Sequence, residues 1–116
     1  MNPLQAPVRG SVAVCPLAAI PAGEGRAATI DGRRIAIFRT AAGLYAIDQA
    51  CPHAGGPLAD GIAADCTVIC PLHERRYSLS DGSPIGHEGP SVTTHEVEVI
   101  EGIVHVTVAA EPATVT

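Results

Sequence analysis

The stretches Cys51-Pro52-His53 and Cys70-Pro71-Leu72-His73 decide how this chain is interpreted. Each stretch offers one thiolate and one imidazole, and sixteen residues separate the first histidine from the second cysteine. Two sulfur and two nitrogen donors suit a [2Fe-2S] centre in which one iron keeps cysteine sulfurs and the other takes histidine nitrogens. One-electron transfer is therefore the first functional hypothesis.

The net charge of such a centre predicts its redox behaviour. Two ferric ions and two sulfides carry two positive charges, which two thiolates and two neutral imidazoles bring to zero. An electron enters a neutral centre more easily than the dianion that four thiolates would give. We therefore expect a reduction potential of roughly −150 to +300 mV, against about −400 mV for plant-type all-cysteine clusters.

Zinc and thiol catalysis are the alternative uses of these residue types. Zinc also accepts two cysteines and two histidines, but its ligands more often come as a cysteine pair and a histidine pair, whereas here they alternate. Catalysis by cysteine and histidine needs a group that orients the base and a site for an oxyanion, and the sequence supplies neither. We therefore expect no catalytic residue and no substrate turnover on this chain alone.

The order Cys-x-His, sixteen residues, then Cys-x-x-His resembles the pattern of the Rieske family, with all four positions filled. The resemblance implies that Cys51 and Cys70 bind one iron of a Rieske-type [2Fe-2S] cluster. It implies that His53 and His73 bind the other iron, at the exposed tip of two facing loops. These four residues are the predicted cofactor-binding and metal-binding set.

Within that family, the run from Cys51 to Leu58 is most similar to the small subunit of an assimilatory NAD(P)H-dependent nitrite reductase. That likeness implies a large catalytic subunit with flavin, a further iron–sulfur cluster and sirohaem, which reduces nitrite to ammonia. Ferredoxin components of aromatic-ring dioxygenases share nearly the same framework, and they pass electrons from a flavoprotein reductase to a terminal oxygenase. A structural or regulatory module is the remaining alternative.

The chain departs from the family pattern after the second histidine. Many members have glycine where this chain has Glu74, which predicts an ordinary backbone there, since glycine alone adopts positive φ without steric cost. Leu72 and Arg75 replace a disulfide cysteine and a serine of the respiratory members, so we expect a lower potential than theirs. Tyr77 matches a tyrosine whose hydroxyl lies near a ligand sulfur, and such a hydrogen bond raises the potential.

Short β-branched or alternating segments predict an all-β domain of small antiparallel sheets, with the two boxes in loops. The resemblance implies that this domain is of the Rieske type. A single helical turn is possible at 16–20. The predicted strands are 11–15, 27–30, 34–40, 44–48, 66–70, 75–79, 94–100 and 103–108, with turns at Asp31-Gly32, Ala42-Gly43, Asp81-Gly82 and Glu101-Gly102.

The last two predicted strands form a closing hairpin. His95 and His105 in these strands are expected to be solvated or hydrogen-bonded, not metal ligands. The loop 86–90, which contains His87, is expected to cover the cluster by analogy with the family. The hairpin is expected to direct four valines inward: Val97, Val99, Val104 and Val106.

Length and charge limit the possible partners. The 116 residues leave room for one domain, predicted at 11–108 between mobile termini at 1–10 and 109–116. The formal net charge is −5, and residues 51–116 hold two arginines against nine acidic residues. Such a chain does not suit nucleic acid, but it can steer docking to a redox partner with a positive patch.

The remaining cysteines bear on the compartment. Neither a charged, apolar leader nor a run of about eighteen apolar residues occurs, so we expect a cytoplasmic protein that does not span a membrane. Reducing cytosol favours thiols over disulfides. Cys15 and Cys66 lie in apolar, strand-like runs and are expected to be small buried hydrophobes.

Overall fold

The computed structural model describes residues 11–52, 55–72 and 74–109. These residues form two antiparallel sheets, which confirms the predicted all-β architecture. The larger sheet has six strands: β1 (Ser11–Pro16), β2 (Glu24–Ile30), β3 (Arg33–Thr40), β4 (Gly43–Asp48), β9 (Thr94–Ile100) and β10 (Ile103–Thr107), in the order β1-β10-β9-β4-β3-β2. The smaller sheet has four strands in chain order: β5 (Ile62–Ala64), β6 (Thr67–Ile69), β7 (Arg76–Ser78) and β8 (Pro84–Ile85).

Eight of these strands lie where the sequence predicts them, and two do not. The single turn expected at 16–20 is present as a 3-10 turn over Leu17–Ala19, and a second one, not predicted, covers Leu58–Asp60. The strands β5 and β8 were not predicted from the sequence. Both are too short to show alternation: β5 is three residues with two alanines, and β8 is two residues that begin with proline.

Two of the predicted turns close hairpins in the larger sheet. Asp31 and Gly32 join β2 to β3 with φ values of 51° and 82°, and Glu101 and Gly102 join β9 to β10 with 51° and 81°. Positive φ at both central residues is typical of the two-residue turns whose twist matches that of the flanking strands. These turns fix the register of both hairpins.

The apolar run Ile35–Phe38 in β3 is buried on both faces, because the larger sheet separates two cores. Alternate residues therefore face different cores. Ile35 and Ile37 contribute to the core shared with β10. Ala36 and Phe38 contribute to the core shared with the smaller sheet, and this core also contains Cys51, Cys70 and Tyr77.

The inward direction of the hairpin valines is confirmed for three of four residues. Val104 and Val106 are fully buried, and Val97 packs against the same core. Val99 is 41% exposed, so its predicted burial is wrong. The reason is that β4 pairs with β9 only at the start of that strand, so its far end lies beyond the neighbouring strand.

His95 ties the end of the described chain to the larger sheet. The imidazole ring of His95 is buried, and its Nε2 lies 2.8 Å from Asp48 Oδ1. The Ala109 N–H donates to Nδ1 of the same ring at 2.9 Å. The Nη1 of Arg33 donates to the Ala109 carbonyl at 2.8 Å, while its Nη2 donates to Asp48. The expectation of a hydrogen-bonded histidine is therefore confirmed here. His105 differs, since its buried Nδ1 has no hydrogen-bond partner within the described ranges.

Most of the two predicted terminal segments lies outside the residues that the structure describes. Residues 1–10 and 110–116 lie outside the described residues. The domain limits of 11–108 accordingly remain a prediction. Among the residues that the structure does describe, no helix has the length and apolar character needed to cross a bilayer.

Candidate metal centre

The two cysteines of the sequence boxes lie buried in the same core. Cys51 is 2% exposed and Cys70 is 1% exposed. Cys51 comes shortly after β4, and Cys70 comes directly after β6, so each sheet supplies one cysteine. His53 and His73 lie outside the described residues. The structure thus brings together the sulfur half of the predicted ligand set.

The first cysteine loop is closed by two backbone hydrogen bonds. The Cys51 N–H donates to the Gly56 carbonyl at 2.9 Å, and the Gly55 N–H donates to the Cys51 carbonyl at 2.7 Å. Both backbone groups of the cysteine are therefore satisfied within its own loop, as buried peptide groups must be.

The second cysteine loop repeats this arrangement. The Cys70 N–H donates to the Arg75 carbonyl at 2.7 Å, and the Glu74 N–H donates to the Cys70 carbonyl at 3.0 Å. In both loops the bonds connect the cysteine to the residues four and five positions later. Two different sequences therefore present their thiols on the same backbone frame.

This shared frame overturns the expectation of an ordinary backbone at Glu74. Glu74 has a φ of 58°, and Gly55, at the matching position of the first loop, has a φ of 74°. The loop closes on the cysteine carbonyl only through a left-handed residue at this position, which glycine adopts freely and glutamate adopts at a cost. The hydrogen-bonded frame thus prevails over the local preference of the side chain.

Gly56 brings the two loops into direct contact. A Cβ added at this glycine would lie 3.1 Å from Cys70 Sγ and 2.8 Å from Leu72 Cγ. Such distances are closer than real Cβ atoms normally approach. The first loop therefore needs glycine because its backbone packs on the sulfur of the second loop.

Tyr77 reaches the sulfur of the first loop from β7. Its hydroxyl lies 3.6 Å from Cys51 Sγ, and the side chain is 1% exposed. This contact confirms the sequence prediction of a tyrosine hydroxyl near a cysteine sulfur. The pKa of Tyr77 is raised to about 12, mainly because the side chain is buried and also because its hydroxyl is hydrogen-bonded to Cys51. The hydroxyl therefore remains a neutral donor at physiological pH.

His87 supports Tyr77 from the loop 86–90, a contact that was not predicted from the sequence. Its ring meets the Tyr77 ring edge-on, with centroids 5.3 Å apart. Its Nδ1 lies 3.1 Å from Arg75 Nη1, and its Nε2 lies 3.1 Å from the Arg76 carbonyl oxygen. Because a guanidinium only donates, Nδ1 accepts and the Nε2–H donates. No local sequence signal predicts this contact, since it joins a loop to a strand about ten residues away.

Of the two remaining cysteines, Cys15 packs partly buried against the core that contains Ile35 and Ile37, and Cys66 contradicts its expected burial. Cys66 is exposed, so its predicted burial is wrong; it lies in the turn before β6, after Asp65 at a φ of 51°. Its sulfur lies 3.2 Å from the Tyr45 hydroxyl, and this hydrogen bond raises the pKa of Tyr45. Cys15 is partly buried, and this burial raises the pKa of its thiol. The positive charge of Arg26 lowers the same pKa, but by less. None of the four cysteines forms a disulfide.

The observed arrangement fits a sulfur-bound iron centre. Two buried thiols on matched loops offer the soft ligands that iron–sulfur clusters require. A neutral hydroxyl reaches one of the sulfurs, as is typical of groups that tune such clusters. A small all-β domain with this site has the character of an iron–sulfur electron-transfer domain.

Comparison with known proteins identifies the family. Residues 11–107 match the model of the Rieske-like [2Fe-2S] domain. The chain belongs to this family and is a Rieske-type electron-transfer domain with a [2Fe-2S] cluster as its cofactor.

Known relatives include proteins of both predicted kinds. The ferredoxin subunit of 3-phenylpropionate/cinnamic acid dioxygenase from Escherichia coli is 35% identical over 91 residues, which cover 76% of this chain and 84% of the relative. The ferredoxin of carbazole 1,9a-dioxygenase from Nocardioides aromaticivorans superimposes with a TM-score of 0.78 at 27% identity. The superposition covers 84% of this chain and 96% of that ferredoxin. A Mycobacterium tuberculosis protein described as a putative NADH-dependent nitrite reductase small subunit superimposes with a TM-score of 0.80 at 26% identity. This superposition covers 87% of this chain and 96% of the mycobacterial protein.

Coverage is shorter for two other relatives. The chain spans 61% and 64% of the length of two ferredoxin components of naphthalene 1,2-dioxygenase systems, from Pseudomonas aeruginosa and a Ralstonia species. The family is thus established across nearly all of the described chain, while a particular partner is a matter for proposal.

Proposed function

We propose that this chain is the electron-carrying small subunit of an assimilatory NAD(P)H-dependent nitrite reductase. In this proposal Cys51 and Cys70 bind one iron of the cluster, and His53 and His73 bind the other. The observation that carries the electron-transfer role and the cysteine assignment is the pair of matched loops, each with a buried cysteine on the same hydrogen-bonded frame. The histidine assignment is what the resemblance of the sequence boxes to the Rieske pattern implies.

The bound cluster supplies one-electron transfer at a moderate potential. The chain's own residues determine the surroundings of its sulfurs. Burial of Cys51 and Cys70 keeps water from the sulfur side. The Tyr77 hydroxyl lies 3.6 Å from Cys51 Sγ and would donate to that sulfur once it is an iron-bound thiolate, which has no proton to give. Both effects bear on the potential, because solvent exposure and hydrogen bonds to sulfur set it.

The proposed partner is a large catalytic subunit that carries flavin, a further iron–sulfur cluster and sirohaem. Two observations support it: the run from Cys51 to Leu58 is similar to that of nitrite reductase small subunits, and the mycobacterial protein shares the fold over most of both chains. In this complex the chain would pass NAD(P)H-derived electrons within the assembly. We place the complex in the cytoplasm, where the Cys15 and Cys66 thiols would stay reduced.

A second candidate is a ferredoxin that serves an aromatic-ring dioxygenase. The 35% identity to the Escherichia coli ferredoxin subunit favours it. In that role the chain would exchange electrons with a flavoprotein reductase and a terminal oxygenase, and it would not remain bound to either.

The ligand assignment is tested on purified protein by iron and acid-labile sulfide content, visible absorption and EPR of the reduced state. We expect a rhombic EPR signal with a mean g below the free-electron value. Replacing Cys51 or Cys70 by serine, or His53 or His73 by alanine, should abolish this signal. A colourless protein that binds zinc would contradict the assignment.

Matched controls come from the other two cysteines. Cys15→Ser and Cys66→Ser change the same functional group outside the two loops, so both proteins should keep iron, sulfide and the EPR signal. Loss of the cluster from either control would mean that the loss in the ligand variants reports general instability.

The choice of partner is tested by reconstitution. We expect the chain to co-purify with the large sirohaem subunit encoded in the same organism and to be needed for its nitrite reduction. Failure to associate, together with activity restored to a reductase and oxygenase pair, would select the ferredoxin candidate.

A variant of a proposed ligand separates electron transfer from a structural or regulatory role. His73→Cys would add negative charge to the cluster and should lower its potential. If electrons pass through this chain, nitrite turnover should fall with the potential. Unchanged turnover at a lowered potential would favour the structural or regulatory role.

A further inference from the structure

The outer face of the smaller sheet carries a row of apolar side chains interrupted by one arginine. Ile62 lies opposite Ile69, Ile69 lies opposite Arg76, and Arg76 lies opposite Ile85. Because directly opposed residues share a face of a sheet, these four side chains cross all four strands in one line. We call them the isoleucine row.

The row faces away from the core. The neighbouring residues Ala63, Val68 and Tyr77 point to the opposite face and are 5%, 0% and 1% exposed. In the row, by contrast, Ile62 is 68% exposed and Ile85 is 40% exposed. Large apolar side chains that lie together on a surface mark interaction sites more often than isolated ones do.

The row continues to the loop of the second cysteine. A cavity of about 460 Å³ lies beside it. Its lining includes three residues of the row, the cysteine-loop residues Cys70 and Pro71, and two acidic residues, Asp60 and Glu74. A partner seated on the row would therefore contact the segment that carries one of the proposed ligands.

Arg76 gives the row a charge that a partner can recognise. Arg75 and Arg76 are the two arginines of residues 51–116, a region with nine acidic residues. The Arg75 guanidinium is bonded to His87, whereas the Arg76 guanidinium has no hydrogen bond or ion pair within the part of the chain that the structure describes. A carboxylate is the group that best pairs with an unengaged guanidinium.

We propose that the isoleucine row docks the large redox-partner subunit, through an apolar patch on that subunit with a carboxylate placed opposite Arg76. This inference rests on the proposed function and adds the surface and the chemistry of assembly. Apolar contact around one paired arginine is the usual composition of an interface centre. Attachment on this face brings the partner against the Cys70 loop from the side of the sheet.

The test measures the affinity of the cluster-loaded chain for the purified large nitrite reductase subunit by calorimetry. Ile62→Glu and Arg76→Glu should each weaken binding by at least about tenfold, since each places a carboxylate against the proposed contact. Their visible spectra and iron content should stay close to those of the unaltered protein, because neither side chain lies in the core.

Matched controls lie on the larger sheet. Val99→Glu places the same charge at another exposed apolar residue, 41% exposed on β9. Arg34→Glu reverses another exposed arginine, on β3. Both controls should bind within about twofold of the unaltered protein, since single surface changes outside an interface have little effect.

The outcomes separate the two proposals. If the unaltered chain does not bind the large subunit, the proposed function fails and the docking inference fails with it. If the unaltered chain binds and the row variants bind equally well, the docking inference is overturned while the proposed function stands. Should Ile62→Glu fail to load a cluster, Ile85→Glu at the other edge of the row replaces it, with the same loss expected.

Discussion

Gly55 and Glu74 occupy the same position in the two cysteine loops. Each lies four residues after a buried cysteine, donates its N–H to the carbonyl of that cysteine and has positive φ, 74° for Gly55 and 58° for Glu74. One loop uses a residue suited to this conformation, and the other holds a glutamate in it. Part of the stability of the second loop is therefore offset by backbone strain.

Replacing Glu74 by glycine should stabilise the protein. A left-handed conformation costs a residue with a Cβ about 1–2 kcal/mol, and the extra entropy of glycine in the unfolded chain offsets about 0.5–1 kcal/mol of the gain. We expect the free energy of unfolding to rise by up to about 1 kcal/mol. Urea unfolding of the loaded protein, followed by circular dichroism, measures it.

Two control variants separate the backbone from the charge. Glu74→Ala removes the carboxylate but keeps the Cβ, so it should give no stabilisation. Gly55→Ala introduces the strain into the first loop and should destabilise the protein by about 1 kcal/mol or more. If Glu74→Ala stabilises as much as Glu74→Gly, the carboxylate is the cause and the strain argument fails.

Tyr77→Phe should lower the reduction potential of the cluster. The variant removes the hydroxyl 3.6 Å from Cys51 Sγ while keeping the buried ring. A strengthening of this bond on reduction by about 0.5–1.5 kcal/mol, the size of one net hydrogen bond, corresponds for one electron to a shift of roughly 20–65 mV. Spectroelectrochemical titration at pH 7 measures it.

The shift should persist well above neutral pH. Because the pKa of Tyr77 is raised to about 12, its hydroxyl stays protonated and keeps donating up to that value. The difference between the unaltered protein and Tyr77→Phe should therefore be the same at pH 7 and pH 10. A difference that vanishes near pH 10, the ordinary value for tyrosine, would contradict a raised pKa.

His87→Ala should lower the potential only when Tyr77 is present. The histidine ring contacts the Tyr77 ring and bonds to the Arg76 carbonyl, so its removal should loosen the hydroxyl that reaches Cys51. A double-mutant cycle with Tyr77→Phe measures this coupling. In the phenylalanine background, His87→Ala should have little effect on the potential.

A conservative variant completes the cycle. His87→Gln retains a donor and an acceptor on a side chain of similar length and should recover part of the lost potential. Equal shifts in the tyrosine and phenylalanine backgrounds would show that His87 acts through solvent access or charge, independently of Tyr77.

Iodoacetamide should label Cys66 faster than Cys15 in the folded, loaded protein. Cys66 is exposed, whereas Cys15 is partly buried and burial raises the pKa of its thiol above the usual value of 9.0. The thiolate is the reactive form, and each unit of raised pKa reduces its fraction about tenfold at neutral pH. Mass spectrometry of the peptides gives both rates.

The pH dependence of labelling provides the check. The rate at Cys15 should keep rising above pH 9.0, since its thiol loses its proton later than an ordinary thiol. In the Cys66→Ser variant the fast phase of labelling, assigned to Cys66, should disappear, and the slow phase, assigned to Cys15, should remain. Labelling of Cys15 as fast as that of Cys66 at neutral pH would contradict the difference in exposure.

Much of the fold could be predicted from local patterns. The hairpin at Asp31-Gly32 follows from residues that accept positive φ, and β3 follows from a continuous apolar run. The edge strands β5 and β8 could not be predicted, because two or three residues carry too little alternation and acquire strand geometry only by pairing with β6 and β7. The predicted burial of Val99 was wrong for a related reason, because the length of the pairing between β4 and β9 decides whether Val99 is covered.

The sequence by itself determined the candidate ligands and, through the resemblance of their alternating boxes to the Rieske family, the predicted type of cluster. Tertiary structure alone decided the backbone at Glu74, the exposure of Cys66 and the contact of His87 with Tyr77. The backbone at Glu74 depends on hydrogen bonds that close its own loop, whereas the other two features depend on contacts between segments that are separate in the sequence. Such contacts can outweigh a preference of about 1 kcal/mol at a single residue, and no local pattern records them.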